Sequence, residues 1–123
     1  MIKVTAAIIE REGVFLIARR SAGKHMAGKW EFPGGKIEPG ETPEECLVRE
    51  LKEEFDIDVK VENHVADSIY DYGEKVICLM GYRVTYICGD FLLRDHDKIS
   101  WISIDEMGDY DFAPADIPLI HAL

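Results

Sequence analysis

The feature that most constrains this chain is an amphipathic helix predicted to run from about residue 43 to Phe55, directly after a glycine-rich loop. Its first turn carries three start signals, because Thr42 suits the N-cap, Pro43 suits the first helical position, and Glu45 completes a capping box. The apolar positions at helical spacing are Leu47, Val48, Leu51 and Phe55. This face of the helix is therefore predicted to lie in the core.

Short β-like runs before and after this helix predict an α/β fold. The predicted strands are 2–9, 14–19, 65–70, 75–86 and 99–104, with a short helical turn at 104–107 and a closing helix at 115–123. A chain of 123 residues supports one core, and it contains no internal repeat or linker. We therefore predict a single domain over residues 1–123.

The segment 21–41 between the second strand and the helix is unusually long for a connection. Loops of this length in small domains are commonly functional or disordered. Trp30, Phe32 and Ile37 supply apolar side chains that indicate an ordered loop.

The acidity of the chain is local. Its formal net charge is −10, and the stretch from Glu38 to Asp58 alone carries −7. An acidic chain is a poor partner for nucleic-acid polymers or anionic lipid, since both require basic patches. The sequence has no membrane-length apolar run and no signal-peptide pattern. Its three cysteines lack a CxxC motif, so a reduced, cytoplasmic protein is expected.

Three glutamates of the predicted helix project from one side. Glu50, Glu53 and Glu54 stand at i, i+3 and i+4, a spacing at which like charges destabilise a helix by about 0.2–0.5 kcal/mol per pair. Bound divalent cations remove this repulsion, and all-oxygen ligation favours Mg²⁺ or Mn²⁺. An ordinary solvated acidic helix is the alternative that the spacing alone leaves open.

A longer pattern resembles the signature of the Nudix hydrolases. The pattern is Gly35-x5-Glu41-x7-Arg49-Glu50-Leu51-x-Glu53-Glu54-x-Asp56-Ile57, and it matches six of the seven invariant-type positions and both aliphatic ones. The exception is Asp56, which stands where the signature has glycine. A left-handed conformation is common after a helix end, and aspartate adopts it at a cost of about 1 kcal/mol. The resemblance implies a Nudix fold, with a mixed β-sheet sandwiched between helices.

The resemblance also implies a metal-assisted hydrolysis of a diphosphate. Mg²⁺, with Mn²⁺ as a substitute, would be held by side chains and backbone carbonyls from Gly34, Gly35, Glu50, Glu53 and Glu54. Bound metal lowers the pKa of an attacking water. Glu50 or Glu53 is a candidate general base, and Arg49 is expected to orient the glutamates. Glu41 is expected to support the loop or a water beyond the metal ligands. For Arg49 and Glu41 a purely structural role is an equal alternative.

Within this family the chain is most similar to MutT-type nucleoside triphosphate pyrophosphohydrolases and to the related bacterial CTP pyrophosphohydrolases. The similar segments are LIARRSAGKHMAGKWEFPGGKIEPGETPEE and FAPADIPLI. The implied reaction splits a nucleoside triphosphate into the monophosphate and pyrophosphate, a step that clears modified or oxidised nucleotides before they enter DNA. The nucleotide-binding residues implied are Arg20, His25, Glu31, Phe32, Pro33, Gly34 and Asp116. Arg20 and His25 are equally plausible as plain surface residues, and a phenylalanine such as Phe32 is more often a core residue than a platform for base stacking.

Asp116 bears on the choice of base. MutT enzymes have asparagine there, and an ionised carboxylate only accepts hydrogen bonds, which suits an exocyclic amino group such as cytosine N4. The alternative is that Asp116 merely caps the closing helix. A cytidine-type or modified nucleotide is therefore favoured, with 8-oxo-dGTP next. Asp95 and Asp97 are candidates for an additional loop acid that serves as metal ligand or base, with a solvated loop as the alternative.

Three other functions remain as alternatives. One is hydrolysis of ADP-ribose or a dinucleoside polyphosphate. The ADP-ribose subgroup resembles a pattern with a proline some way past the signature. This chain has no proline between Pro43 and Pro114, which counts against that subgroup. A non-catalytic nucleotide sensor is another, although such domains tend to lose the glutamates retained here. A plain Ca²⁺-binding helix lacks EF-hand spacing. The expected partner is a small nucleotide, with no nucleic-acid polymer or membrane, and the chain is expected to be a monomer or homodimer.

Overall fold

The computed structural model describes all residues from Met1 to Leu123. The strands are β1 (Ile2–Arg11), β2 (Val14–Arg20), β3 (Trp30–Glu31), β4 (Asp58–Asp71), β5 (Val76–Cys88) and β6 (His96–Ile102). The helices are α1 (Pro43–Phe55) and α2 (Ile117–His121), with 3₁₀ helices at Ile104–Asp109 and Pro114–Asp116. None of the helices has the length and apolar character needed to cross a membrane.

The strands form one mixed, six-stranded sheet, as the α/β prediction requires. Its path is β3-β2-β1-β5-β4, and β6 adds to β2. The pair β1–β5 is parallel, whereas β4–β5, β2–β3 and β2–β6 are antiparallel. A parallel pair needs a long crossover, which here contains the loop 21–41 and α1.

Both faces of this sheet are buried, which explains the continuous apolar run of β1. Ala6 and Ile8 point to a core shared with Phe112 and Leu119 near the C-terminus. Ala7 and Ile9 point to the opposite core, which contains Ile57 and the α1 residues Leu47, Leu51 and Phe55. The prediction was wrong for Val48, which is 45% exposed at the edge of this face. Alternate residues of a strand face opposite sides of the sheet, so helical segments cover both sides. The predicted arrangement of a mixed sheet between helices is confirmed.

Strands β1 and β2 separate immediately after their turn, and the long loop fills the gap. Their pairing is limited to Glu10 with Phe15 and Arg11 with Val14. Beyond that point the β1 backbone pairs with the loop, since the Ala7 N–H donates to the Pro33 carbonyl at 2.7 Å. Further along, the Ile37 N–H donates to the carbonyl of Lys3 at 3.1 Å. The loop is thus held at the split between two strands and lies against α1.

Two segments differ from the predicted secondary structure: β4 begins at Asp58 rather than at residue 65, and the C-terminal helix is divided. The expected helix over 115–123 is a 3₁₀ turn at Pro114–Asp116 followed by the short α2. Pro118 has no N–H to donate to a preceding turn, so regular α-helix begins only at Ile117. This change of helix type leaves Asp116 at a junction, where its side chain is buried.

The end of α1 confirms the left-handed conformation expected at Asp56. Its φ and ψ are 56° and 40°, and its N–H donates to the Lys52 carbonyl at 3.0 Å. We predict that Asp56→Gly raises the free energy of unfolding by about 1 kcal/mol, because glycine adopts this region without a Cβ penalty. Urea unfolding measures the difference. A less stable Asp56→Gly variant would mean that the exposed Lys52–Asp56 ion pair outweighs the strain, which Lys52→Met tests separately.

Candidate active site

A cavity of about 320 Å³ opens where the loop enters the split between β1 and β2. Charged side chains of both signs line it. The cationic ones are Arg20, Lys24, Lys36 and Lys75, and the acidic ones are Glu31, Glu54, Asp95 and Asp116. Small-molecule sites have volumes of roughly 300–1,000 Å³, so a nucleotide-sized ligand is compatible with this cavity. The cationic side chains suit phosphate groups despite the acidity of the chain.

Two glycines of the loop lie against different neighbours. A Cβ at Gly34 would stand 2.0 Å from the backbone oxygen of Thr5. A Cβ at Gly35 would stand 2.3 Å from the carboxyl carbon of Glu50, a flexible side-chain end. The Gly34 position therefore has no room because of the backbone, whereas the Gly35 position is filled by a candidate metal-binding carboxylate.

The carbonyl of Gly35 is already engaged by buried groups of β1. It accepts the Thr5 N–H at 2.8 Å and the Thr5 hydroxyl at 3.2 Å. The buried Cys46 thiol lies 3.3 Å from the same hydroxyl, and burial raises the pKa of this thiol to about 11. Cys46 is therefore a neutral packing residue here. The Gly34 carbonyl accepts no backbone hydrogen bond, which makes it the better candidate to face a metal ion.

Arg49 organises the acidic side chains of the loop and α1. Its guanidinium donates to both carboxylate oxygens of Glu41, at 2.6 and 2.9 Å, and this hydrogen bonding lowers the pKa of Glu41 to about 2. It also donates to Glu50 at 2.8 Å and Glu53 at 3.2 Å. Paired charge-assisted hydrogen bonds fix geometry as well as charge. Arg49 and Glu41 thus tie the loop to the helix rather than facing the cavity.

The three helix glutamates have different environments. Glu54 is buried and lines the cavity, and its Oε2 atom has no hydrogen-bond partner. Burial, together with the charge of Glu50, raises the pKa of Glu54 to about 10. Glu53 has a side chain 60% exposed and lies outside the cavity lining. In this arrangement no three His, Cys, Asp or Glu side chains converge as a ready metal cage.

Asp116 lines the cavity and is buried. Its Oδ2 atom accepts the backbone N–H of Phe32 at 2.9 Å, and its side chain makes no capping bond to α2. The helix-capping alternative therefore does not describe this residue. Burial, together with the charge of Glu31, raises the pKa of Asp116 well above its usual range. A neutral Asp116 carboxyl can donate as well as accept.

The remaining candidates divide between the cavity and its surroundings. Arg20, His25 and Glu31 line the cavity, whereas Phe32 and Pro33 are buried and contribute backbone groups rather than cavity-lining side chains. The Phe32 ring packs in the core, with its centroid 5.8 Å from that of Phe112.

The two loop aspartates lie on different sides of the start of β6. Asp95 lines the cavity, and its carboxylate lies 3.4 Å from Lys24 Nζ. Asp97 turns away and accepts from Arg19 at 2.7 Å.

Several cavity-lining residues carried no functional prediction from sequence, among them Lys24, Lys36, Lys75, Tyr72 and His96. Tyr72 lines the cavity, its hydroxyl accepts the Ala115 N–H at 3.2 Å, and its ring meets His25 edge-on. His96 is buried beside Glu31. The available signal for His96 was its position between two acids, Asp95 and Asp97, at the start of a strand. Tyr72 gave no signal, because it stands in a turn sequence.

The fold agrees with comparisons to known proteins. A model of the NUDIX domain matches residues 1–123. The chain is 43% identical to the CTP pyrophosphohydrolase of Escherichia coli K12, over 99% of this chain and 90% of that protein. It is 37% identical to the 8-oxo-dGTP diphosphatase of the same strain, over 99% and 95% of the two chains.

Solved structures show the same relationship. The solution structure of the E. coli ORF135 protein superposes with a TM-score of 0.88 at 43% identity, over 99% of this chain and 87% of that chain. The MutT protein of Methanosarcina mazei Go1 gives a TM-score of 0.86 at 30% identity, over 97% and 88%. The chain belongs to the Nudix family and is a Nudix hydrolase. Enzymes of this family generally use divalent metal ions such as Mg²⁺ and act on small-molecule nucleotides.

Proposed function

We propose that this enzyme hydrolyses a nucleoside triphosphate to the monophosphate and pyrophosphate with Mg²⁺, and that its preferred substrate is a cytidine-type or modified nucleotide. The observation that carries the proposal is a single cavity lined by Glu54, Asp116 and several cationic side chains. Its glutamate from α1 suits metal-bound phosphates, and Asp116 offers hydrogen-bonding atoms to a base. The similarity to a CTP pyrophosphohydrolase supports this substrate class.

The donor set fits a hard divalent cation. Glu54 holds a buried oxygen without a partner, and the Glu50 carboxylate occupies the space beside Gly35. Such oxygen groups suit Mg²⁺ or Mn²⁺. We assign Glu50, Glu54 and the Gly34 carbonyl as ligands, with Glu53 at the exposed edge of the set. The Gly35 carbonyl serves the loop instead.

The chain's own residues then perform distinct tasks. A bound divalent ion neutralises phosphate charge and lowers the pKa of a coordinated water. Arg49 holds Glu50 and Glu53 in place, so that either glutamate is available to accept a proton from the attacking water. Arg20, Lys24 and Lys75 place positive charge around the phosphates. Asp95 lines the same cavity, whereas Asp97 pairs with Arg19, so Asp95 is the better of the two loop acids as an added ligand or base.

Asp116 is the carboxyl group that we assign to the base. The Phe32 N–H occupies Oδ2 of Asp116, so the other carboxyl oxygen is available to a ligand. That oxygen can accept from the exocyclic amino group of cytosine or, when it carries the proton of the neutral carboxyl, donate to the ring nitrogen. The same neutral group can also donate to a carbonyl. This property, together with the similarity to an 8-oxo-dGTP diphosphatase, makes 8-oxo-dGTP the second candidate.

A panel of canonical, methylated and oxidised nucleoside triphosphates tests the reaction. Wild-type enzyme with Mg²⁺ should release pyrophosphate and a nucleoside monophosphate, with cytidine-type nucleotides ranked first. ADP-ribose and a dinucleoside polyphosphate belong in the same panel as competing substrates. Binding without turnover of any compound, with Mg²⁺ or Mn²⁺, would instead indicate a nucleotide sensor and contradict the proposal.

Asp116→Asn tests the base-reading group. The amide oxygen is expected to retain the Phe32 N–H, which leaves only the amide NH₂ for the ligand. The ratio of kcat/KM for cytidine-type substrate to that for 8-oxo-dGTP should fall roughly 10- to 100-fold, the range for one hydrogen-bonded base contact. The exposed Asp109→Asn serves as control. An unchanged substrate ranking in Asp116→Asn would remove this residue from base recognition.

The biological setting is part of the same proposal. Removal of modified nucleotides from the precursor pool would protect DNA from their incorporation. The three free thiols, two of them buried, support a reducing cytoplasmic setting. We propose that residues 1–123 act as one catalytic domain, as a monomer or homodimer.

A further inference from the structure

Beside the cavity, a cation and a buried histidine hold the carboxylate of Glu31. His96 Nε2 lies 2.8 Å from Glu31 Oε2, and Arg20 Nη1 lies 3.1 Å from the same oxygen. The side chains of Arg20, Glu31 and His96 are 29%, 16% and 1% exposed. Three strands contribute one residue each, so their relative positions are determined by the sheet.

An irregularity of the sheet directs His96 inward. Where β2 pairs with β6, Arg19 pairs with Lys98, and the next residue of β2, Arg20, pairs with His96. The pairing skips Asp97, which is therefore the extra residue of a bulge in β6. Bulges redirect side chains, commonly next to functional sites. Asp97 is held outside by Arg19 at 2.7 Å, while His96 is buried. The same register shift therefore brings Arg20 and His96 together on Glu31.

The surroundings of the His96 ring select one tautomer. The ring stacks on Phe55, with a centroid distance of 5.2 Å and an interplanar angle of 12°. Its Nδ1 atom is buried and has no hydrogen-bond partner, whereas Nε2 faces the Glu31 carboxylate. A proton on Nδ1 would be buried without an acceptor, which is the costlier arrangement. The neutral ring therefore carries its proton on Nε2 and donates it to Glu31.

We propose that His96 is a positioning residue for substrate binding, because it holds Glu31 in the orientation that accepts a hydrogen bond from the bound nucleotide. Glu31 lines the cavity together with Glu54 and Asp116, so it faces the substrate, whereas the His96 side chain is almost fully covered. This inference rests on the proposed nucleotide hydrolysis. Its effect should fall on KM, since the hydrogen bond of His96 goes to Glu31 and not to Glu50, Glu53 or Glu54.

Two substitutions of nearly equal chemistry separate this role from simple packing. The amide nitrogen of His96→Gln can reach the position of Nε2, whereas that of His96→Asn is one methylene short. His96→Asn should raise KM about 10-fold with kcat within about 3-fold, the size of a lost hydrogen bond to a charged group. His96→Gln should retain a KM close to that of wild type. The exposed pair of His64 with Asp67, 2.7 Å apart, provides His64→Asn as the matched control.

A double-mutant cycle tests whether His96 acts through Glu31. Glu31→Gln should raise KM by a similar factor, and His96→Asn should add less than about 2-fold in that background, since coupled residues are not additive. Three results would each overturn the proposal. The first is a KM of His96→Asn equal to that of wild type, and the second is an equal rise in KM for His96→Gln and His96→Asn. The third is a double variant whose rise in KM is the product of the rises in the two single variants.

A measurement without turnover keeps the proposal testable if the variants fold poorly. Two-bond ¹H–¹⁵N correlations of the wild-type protein should show the Nε2–H tautomer for His96, and an Nδ1–H tautomer would overturn the inference. If wild-type enzyme hydrolyses no nucleoside triphosphate, the proposed function is refuted instead. The tautomer of His96 is measured without turnover, so that result does not depend on the hydrolysis assay.

Discussion

Glu54→Gln is expected to lower kcat/KM by about 1,000-fold, the scale seen when a site loses one preorganised charge-stabilising group. Glu54 is the helix glutamate that is both buried and on the cavity wall, and its unpartnered oxygen is a strong candidate metal ligand. Glutamine has the same shape but cannot supply a carboxylate to Mg²⁺. The measurement is steady-state hydrolysis over a Mg²⁺ titration, with Mn²⁺ binding followed by electron paramagnetic resonance.

The same substitution should leave the metal-free protein at least as stable as wild type. Burial and the charge of Glu50 raise the pKa of Glu54 to about 10, so the wild-type side chain is neutral at neutral pH, and glutamine imitates that form. The melting temperature of the metal-free variant measures this. Glu44→Gln, an exposed position of the same helix, is the control and should change neither activity nor stability. Retained activity and Mn²⁺ affinity in Glu54→Gln would remove this residue from the metal site.

Glu53→Gln compares the exposed glutamate with the buried one. We expect a lower rate here as well, because Glu53 belongs to the proposed ligand set and is held by Arg49 at 3.2 Å. A rate equal to that of wild type would remove Glu53 from the set and leave Glu50 and Glu54 as its acidic members.

Gly35→Ala is expected to reduce kcat/KM by about 100-fold or more while the protein stays folded. The added Cβ would stand 2.3 Å from the Glu50 carboxyl carbon, and this side-chain end can move aside at little expense to the fold. The displaced carboxylate no longer stands beside the loop, and a shift of about 1 Å in a catalytic group can reduce a rate about 100-fold. Steady-state kinetics and urea unfolding on the same preparation measure the two effects.

Gly34→Ala, one residue earlier, is expected to destabilise the fold, whereas Gly35→Ala is expected to reduce activity. Its Cβ would stand 2.0 Å from the backbone oxygen of Thr5, which cannot move without disturbing β1. We therefore expect a loss of about 1–3 kcal/mol in the free energy of unfolding, as for overpacked sites. Gly108→Ala, where a Cβ meets nothing within 4 Å, is the control for both variants. Equal stability losses in Gly34→Ala and Gly35→Ala would contradict this account of the loop.

The local features of the site could be predicted from sequence because they depend on near neighbours. The start of α1 was predictable because Thr42 and Glu45 form a capping box within one turn, and the structure contains both of its bonds. The left-handed end at Asp56 followed from its position after the helix. The family could be inferred because the signature of loop and helix lies within 23 consecutive residues.

The sequence alone thus determined the helix with its row of glutamates, the order of most strands, and the family of the enzyme. It could not determine which glutamate is buried, because Glu50, Glu53 and Glu54 share one helix side and only packing against the sheet covers Glu54. Nor could it show that Asp116 binds the Phe32 N–H rather than capping α2, or that a bulge turns His96 inward and Asp97 outward. These contacts join residues 84 and 65 positions apart in the chain, and they form only when the strands assemble. Side-chain burial and long-range pairing are properties of the assembled sheet, so only the tertiary structure decided them.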